Sequence, residues 1–263
     1  MTESVRAVDR ALDILLCFSR EKPALSLTQI AASIGMSKST VHRLLATLEK
    51  KRFLTRNAGT GKYQLGFRFM ELAGQVMDYA NESWATPYLE ELAEQFGETV
   101  DLAILDGAHV IYLRVIESRQ RVKIAAAIGQ RLPAFCTASG KAFLAYLPAE
   151  QVKKFLHAGL TRFTERTLTS QKRLADDLRA TRERGFAISQ AEFEKDINAV
   201  AVPILGMDGK PILAIAIAGP SFRLPYSRML EIGKALLSLT GRIRSEVGLT
   251  TLSMIVPRGN PWQ

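Results

Sequence analysis

The chain has 263 residues, of which 47% are hydrophobic and 23% charged, and it carries a formal net charge of +9. At roughly 150 residues per domain this predicts two domains with cores of their own and excludes global disorder. The longest apolar run, Ile212 to Gly219, is eight residues long, against roughly 18 for a helical membrane span, so a bilayer-crossing helix is excluded too.

The first predicted element is a helix in which Val5, Val8, Leu12, Leu15 and Leu16 recur at helical spacing until Lys22-Pro23 stops it. Glu3, Arg6, Asp9, Arg10 and Asp13 interrupt the stretch that a signal peptide would keep apolar, so a cytoplasmic location without a membrane partner is expected. Leu27 to Ile34 reads as a second, short helix. Gly35 permits a sharp turn, and Ser37 is placed to cap a third helix whose apolar stripe is Val41, Leu44, Leu45 and Leu48. Phe53-Leu54, the basic loop Arg56 to Lys62 and Tyr63 to Leu65 read as a strand, a glycine-bearing turn and a return strand, which together form a wing. Phe69, Leu72, Ala73, Val76, Met77 and Ala80 then mark a long helix that leaves the wing and links the domains.

A new segment opens near Trp84. Thr99 to Leu105 and His109 to Val115 flank Asp106-Gly107, and Val200 to Leu205 and Pro211 to Ala218 flank Asp208-Gly209, so two hairpins are expected. Helices are predicted at Lys141 to Tyr146, Ala149 to Leu156 and Gln171 to Arg184, the last stopped by Gly185, and a C-terminal helix follows Ser227. Antiparallel hairpins surrounded by helices give an α+β fold rather than a doubly wound parallel sheet. The expected organisation is a winged helix-turn-helix over residues 1–66, a linker helix over 67–81, a second domain over 82–249 and a loose tail over 250–263.

The charge is uneven. Residues 1–66 hold 11 basic against five acidic residues, and the rest hold 24 against 21, so a polyanion is the expected partner of the first domain. Ala31, Gly35, Val41 and Leu44 supply what a helix-turn-helix needs: a small residue where the helices cross, a glycine at the turn, and two apolar residues seating the second helix. An ordinary helical hairpin is the competing reading. At 100° per residue, Ser39, His42, Arg43, Ala46 and Lys50 lie opposite the apolar stripe. Arg43 suits a guanine edge, and Ser39 and His42 offer single hydrogen bonds. Ser37, Lys38 and Thr40, with Thr28 and Gln29 on the preceding helix, are placed at helix starts to hold phosphates, and the wing offers Arg56 and Lys62 to the DNA backbone or minor groove. Lys50 and Lys51 fit a solvated helix end equally well.

In the second domain, Cys136-Thr-Ala-Ser-Gly140 precedes a helix read as starting at Lys141, so free backbone N–H groups make the loop a carboxylate site or simply a capped helix. Cys136 beside a helix start also raises a thiol-dependent enzyme as the alternative. The chain has only three histidines, His42, His109 and His157, and none has a spacing that ties it to Cys136. Familiar nucleotide, zinc-protease and nucleophile-elbow patterns are missing, so no catalytic residue, metal or cofactor is expected. Ile128, Leu132, Pro133 and Phe135 are pocket candidates, with core packing as the competing role.

The segments LTQIAASIGMSKSTVHRLLATLEKKRFL, GKYQLGFRFMELA, IGQRLPAFCTASGKAFLA and VAVPILGMDGKPILAIAIAGPSFRL resemble the isocitrate lyase regulator (IclR) family of bacterial transcription regulators over about residues 4–249. The resemblance implies a winged helix-turn-helix, a linker helix and a GAF-like effector domain. It implies a homodimer or dimer of dimers (homotetramer) on palindromic double-stranded operators, acting as repressor or activator in response to a small organic acid. It also implies an effector site at Cys136, Ala138, Ser139 and Gly140, with the family's acidic position at Glu192 or Glu194. Asp196 stands where the family usually has glycine. The family can carry serines at the positions of Ala216 and Ala218, which help hold small oxygenated acids; methyl groups there predict an effector with an apolar or aromatic body.

Overall fold

In the computed structural model, which describes residues 5–19, 21–79, 84–157 and 159–248, helix α1 (Arg6–Leu16) buries Ile14 and packs Ala11 and Leu15 on the core. Its other apolar residues face outward: Val5, Val8, Leu12 and Leu16 are 52 to 80% exposed. The helical spacing is therefore right, but most of the predicted stripe is not core.

Strand β1 (Ala24–Leu25) follows Pro23, then α2 (Leu27–Ser33) and α3 (Lys38–Lys50). Ser26 and Gln29 form a reciprocal capping box at the start of α2, and the Ser37 hydroxyl accepts from the Thr40 N–H at the start of α3. Between the helices Gly35 has φ +64°, a left-handed conformation that explains a glycine at this turn. Strands β2 (Leu54–Arg56) and β3 (Tyr63–Leu65) form the wing, and β1 pairs with β3 as a third strand. Two residues after a proline carry no periodicity, which is why β1 is invisible in the sequence. Ala31, Val41, Leu45 and Leu48 are buried together, as the helix-turn-helix reading requires.

Helix α4 (Arg68–Tyr79) runs to the point where the chain divides into two units, between Asp78 and Tyr79. Ala80, the side chains of Val76 and Met77, and the tail 250–263 lie outside the described residues.

In the second unit α5 (Thr86–Phe96) leads into β4 (Thr99–Asp106), β5 (His109–Ile116) and β6 (Arg131–Pro133). A short 3-10 turn then enters α6 (Ala138–Leu144), followed by α7 (Ala149–His157), α8 (Gln171–Arg184), β7 (Ala187–Gln190), β8 (Ile197–Leu205), β9 (Pro211–Pro220) and α9 (Tyr226–Glu246). The two predicted hairpins form. Antiparallel pairing of β4 with β9 joins them, giving among the described residues a six-stranded sheet in the order β6-β5-β4-β9-β8-β7.

Alternation along β9 sets the two faces. Ile215 and Ile217 enter one core with Val100, Leu102 and residues of α5 and α9, while Ala214 and Ala216 enter the other with Ala103, Ala201 and α6. The alanine face has a physical cause: every residue of α6 is buried, and a helix buried all round needs small residues opposite it.

Helix α6 starts at Ala138, three residues before the expected Lys141, because Thr137 caps it by accepting from the Gly140 N–H. Gly140 is inside the helix rather than before it, and a Cβ there would overlap the Ala134 backbone.

Candidate functional site

In the first unit Ser39, His42, Arg43, Ala46 and Lys50 form the exposed face of α3, opposite buried Val41, Leu45 and Leu48. Thr28, Gln29, Ser37, Lys38 and Lys62 are exposed and Thr40 is half-buried. Two predicted phosphate contacts have work inside the fold. The Gln29 side-chain oxygen accepts from the Ser26 N–H at 2.8 Å. Arg56 donates through Nε to the Gly61 carbonyl at 3.3 Å and lies over the Tyr63 ring, bracing the wing from within. Ser37 is likewise occupied as a cap, with Oγ 2.9 Å from the Thr40 hydroxyl. Arg43, His42, Lys38 and Lys62 are left projecting from an apolar scaffold, a cationic, hydrogen-bonding surface suited to a nucleic acid groove.

In the second unit a cavity of about 70 Å³ opens on the alanine face of the sheet. Cys136, Thr137, Ala138 and Ser139 form one wall, Ile197, Ala199, Ala216 and Ala218 another, and Ile124, Ala125, Ala126, Leu132 and Phe193 close it. Of the predicted effector residues, Cys136, Ala138, Ser139, Glu194, Ala216 and Ala218 meet here. Gly140 and Glu192 do not line the cavity. Gly140 sits against the Ala134 backbone, and Glu192 is turned toward the fully buried Lys141 at 2.6 Å, where Asp177 also approaches the ammonium at 2.9 Å. The acidic position left open between Glu192 and Glu194 is thus divided between two roles: Glu192 in an ion-pair cluster, Glu194 at the cavity.

The loop between them is held by Thr167, whose hydroxyl donates to the Glu192 carbonyl at 2.6 Å. Ala191 and Asp196 take φ +54° and +62°, so Asp196 adopts the left-handed backbone that glycine adopts more easily, and aspartate is among the few other residues that tolerate it. Phe193 at the cavity packs against Phe163 with the rings tilted at 56° and centroids 5.0 Å apart.

Sequence reasoning missed Asp101, Tyr112, Gln130, Ser189 and Phe193, all of which line the cavity. Asp101 had a readable signal: it is the charged residue within the otherwise apolar strand Thr99 to Leu105. It is 2% exposed and accepts at Oδ1 from the Ser139 hydroxyl at 3.2 Å. Burial pushes its carboxyl up to about 7, the Ser139 hydrogen bond opposing it only in part. Of the other pocket candidates, Leu132 lines the cavity while Ile128, Pro133 and Phe135 stand outside it.

Cys136 is fully buried, and burial with Glu192 nearby pushes its thiol up to about 12 despite Lys141. A thiol held in that range is not a nucleophile at neutral pH, so the geometry gives no support to a thiol-dependent enzyme. Among the described residues no group of three or more histidine, cysteine, aspartate or glutamate side chains is placed to hold a metal ion, and no helix is long and apolar enough to cross a membrane.

Residues 7–58 match the family described as IclR helix-turn-helix domain, and residues 78–244 match Bacterial transcriptional regulator IclR C-terminal. The chain is 35% identical over 234 residues to the HTH-type transcriptional regulator XynR of Escherichia coli, covering 88% of this chain and 93% of that protein. It is 31% identical to the transcriptional repressor IclR of the same organism, over 94% of this chain and 92% of the repressor. Among solved structures, a putative IclR regulator from Silicibacter superposes with a TM-score of 0.78 at 30% identity, covering 97% of this chain and 99% of that one. An IclR homologue from Microbacterium hydrocarbonoxydans, complexed with 4-hydroxybenzoate, shares the fold at a TM-score of 0.76 and 23% identity, over 94% of this chain and 99% of the other.

Proposed function

The chain belongs to the IclR family of bacterial transcription regulators, a DNA-binding regulator and not an enzyme, and from that premise we propose that it answers to a small carboxylic acid with an apolar or aromatic body. The observation that carries this reading is the far wall of the cavity, where Ala199, Ala216 and Ala218 present methyl groups beside Ile197 and Phe193. A highly oxygenated acid would leave its hydroxyl or oxo group unpaired against them, at a cost of about 1 to 3 kcal/mol. The first backbone N–H groups of α6, at Ala138 and Ser139, are the main-chain donors for the acid group. The regulator controls a catabolic operon whose substrate or product is that acid.

Titration calorimetry of the full chain with benzoate, glyoxylate and pyruvate tests the reading. Benzoate is expected to bind about 5- to 150-fold tighter than either oxoacid, the factor that corresponds to this penalty. Tighter binding of the oxoacids overturns it.

On the DNA side, the protein is read as a homodimer or dimer of dimers on a pseudo-palindromic operator, since one short helix reads too few bases to select a site. The outward apolar residues of α1, Val5, Val8, Leu12 and Leu16, support self-association of the first unit. Ser39, His42 and Arg43 face the groove, while Thr28, Lys38, Thr40 and Lys62 hold phosphates, with Gln29, Ser37 and Arg56 contributing what their roles inside the fold leave free. Arg43→Ala is expected to weaken operator binding by about 1 to 3 kcal/mol and to relax sequence preference, whereas Lys62→Ala weakens all sequences alike and flattens the salt dependence. Unchanged affinity and preference in Arg43→Ala, measured by fluorescence anisotropy, overturns the groove assignment.

A further inference from the structure

We propose that Asp101 holds the effector's acid group as a neutral hydrogen-bond donor, so that binding of a carboxylate brings a proton into the cavity. The proposal rests on the acid-binding reading above and adds to it one residue and a pH dependence.

It starts from a mismatch of charge. Among the described residues the cavity is lined by two carboxylic side chains, Asp101 and Glu194, and by no lysine, arginine or histidine. Lys141 on α6 is engaged by Glu192 and Asp177. A carboxylate entering beside an ionised Asp101 would meet a like charge in a poorly solvated space with no cation to offset it. The serine and threonine hydroxyls of the lining are also committed: Ser139 donates to Asp101, Ser189 to the Cys136 carbonyl at 3.2 Å, and Thr137 to the Pro133 carbonyl at 3.0 Å.

Asp101 resolves both problems when it carries a proton. Burial already lifts its carboxyl to about 7, so the neutral form is present at neutral pH, and an anionic ligand within reach stabilises it further. A carboxylic acid donating to a carboxylate makes a charge-assisted hydrogen bond, stronger than a neutral one. The O–H bond of Asp101 is kept, and the ligand remains the anion. The other titratable groups sharing this space are Tyr112 from β5, Cys136 ahead of α6 and Glu194 from the loop between β7 and β8; β9 contributes only Ala216 and Ala218. Burial raises Tyr112 well above the ordinary phenol value and holds Cys136 at about 12, so neither exchanges a proton between pH 6 and 9.

The test uses the full chain with benzoate as probe, titrated between pH 6 and 9 in two buffers of different ionisation heat. Benzoate affinity is expected to weaken about tenfold per pH unit above about pH 7, with up to one proton taken up per site. Asp101→Asn keeps an N–H donor and is expected to bind with an affinity that is flat over this range, while Glu194→Gln retains the wild-type pH dependence. Benzoate binding with the same pH profile in wild type and Asp101→Asn overturns the proposal and leaves the acid-binding reading standing. Binding of benzylamine in place of benzoate overturns both. A readout without ligand stands beside these: the infrared difference between wild type and Asp101→Asn should show a protonated carboxyl band at pH 6 that fades by pH 9, and its absence at pH 6 overturns the proposal whatever binds.

Discussion

Lys141→Ala is expected to lose about 3 to 5 kcal/mol of stability, the cost of stripping the partner from buried opposite charges. Lys141 is fully buried with Glu192 at 2.6 Å and Asp177 at 2.9 Å, and Glu192 is itself 6% exposed. Burial pushes the Glu192 carboxyl up even with the ammonium beside it; without the ammonium, the acid must take up a proton or draw the loop open. That loop carries Glu194 and Phe193 to the cavity, so the same substitution should loosen effector binding before it unfolds the unit. Urea unfolding followed by tryptophan fluorescence measures it, since Trp84 packs against the core of the second unit. Adding Glu192→Gln and Asp177→Asn to Lys141→Ala should recover part of the loss, because no unpaired charge then stays buried. A single-mutant loss below about 0.5 kcal/mol would show that solvent reaches the cluster.

Asp101 is a buried acid without a cation beside it. Its folded value of about 7 lies above the ordinary carboxyl value of 3.8, so the folded state binds the proton more tightly than the unfolded chain. The stability this contributes is complete below about pH 4 and is lost as pH rises through about 7. Relative to Asp101→Asn, which does not titrate, the wild type is expected to lose about 3 kcal/mol between about pH 5 and pH 8. The comparison is made on the difference between the two unfolding curves, which removes the other titrating groups and any constant effect of the amide. A difference independent of pH would mean that Asp101 is solvated and ionised throughout.

Much of the fold was legible because it is written in short-range patterns. The turn at Gly35, the cap at Ser37, the stripe Val41, Leu45 and Leu48, the two hairpins at Asp106 and Asp208, and the stop of α8 at Gly185 each depend on residues a few positions apart, whose backbone preferences and periodicity act locally. The exposed face of α3 follows from the same periodicity, so the Ser39, His42 and Arg43 surface was readable as well. Family motifs then brought Cys136, Ala138, Ser139, Ala216 and Ala218 to one expected site, and the structure places all five around one cavity.

What the sequence by itself determined is therefore the set of elements, their caps and their apolar faces. What only the tertiary structure decided is which faces meet. Pairing of β4 with β9 sets Asp101 opposite Ala216, residues 115 positions apart in the chain, and nothing local to either announces the other. Helix α6 is covered on its whole surface and Gly140 within it must fit against the Ala134 backbone, a constraint that no helix propensity contains. Glu192 and Glu194 are alike in composition and two residues apart, yet one pairs with Lys141 and the other lines the cavity, because the loop turns through left-handed residues at Ala191 and Asp196. Burial and electrostatic environment are sums over contacts from distant parts of the chain, so the sequence can name the ionisable groups while only the packed structure assigns their protons.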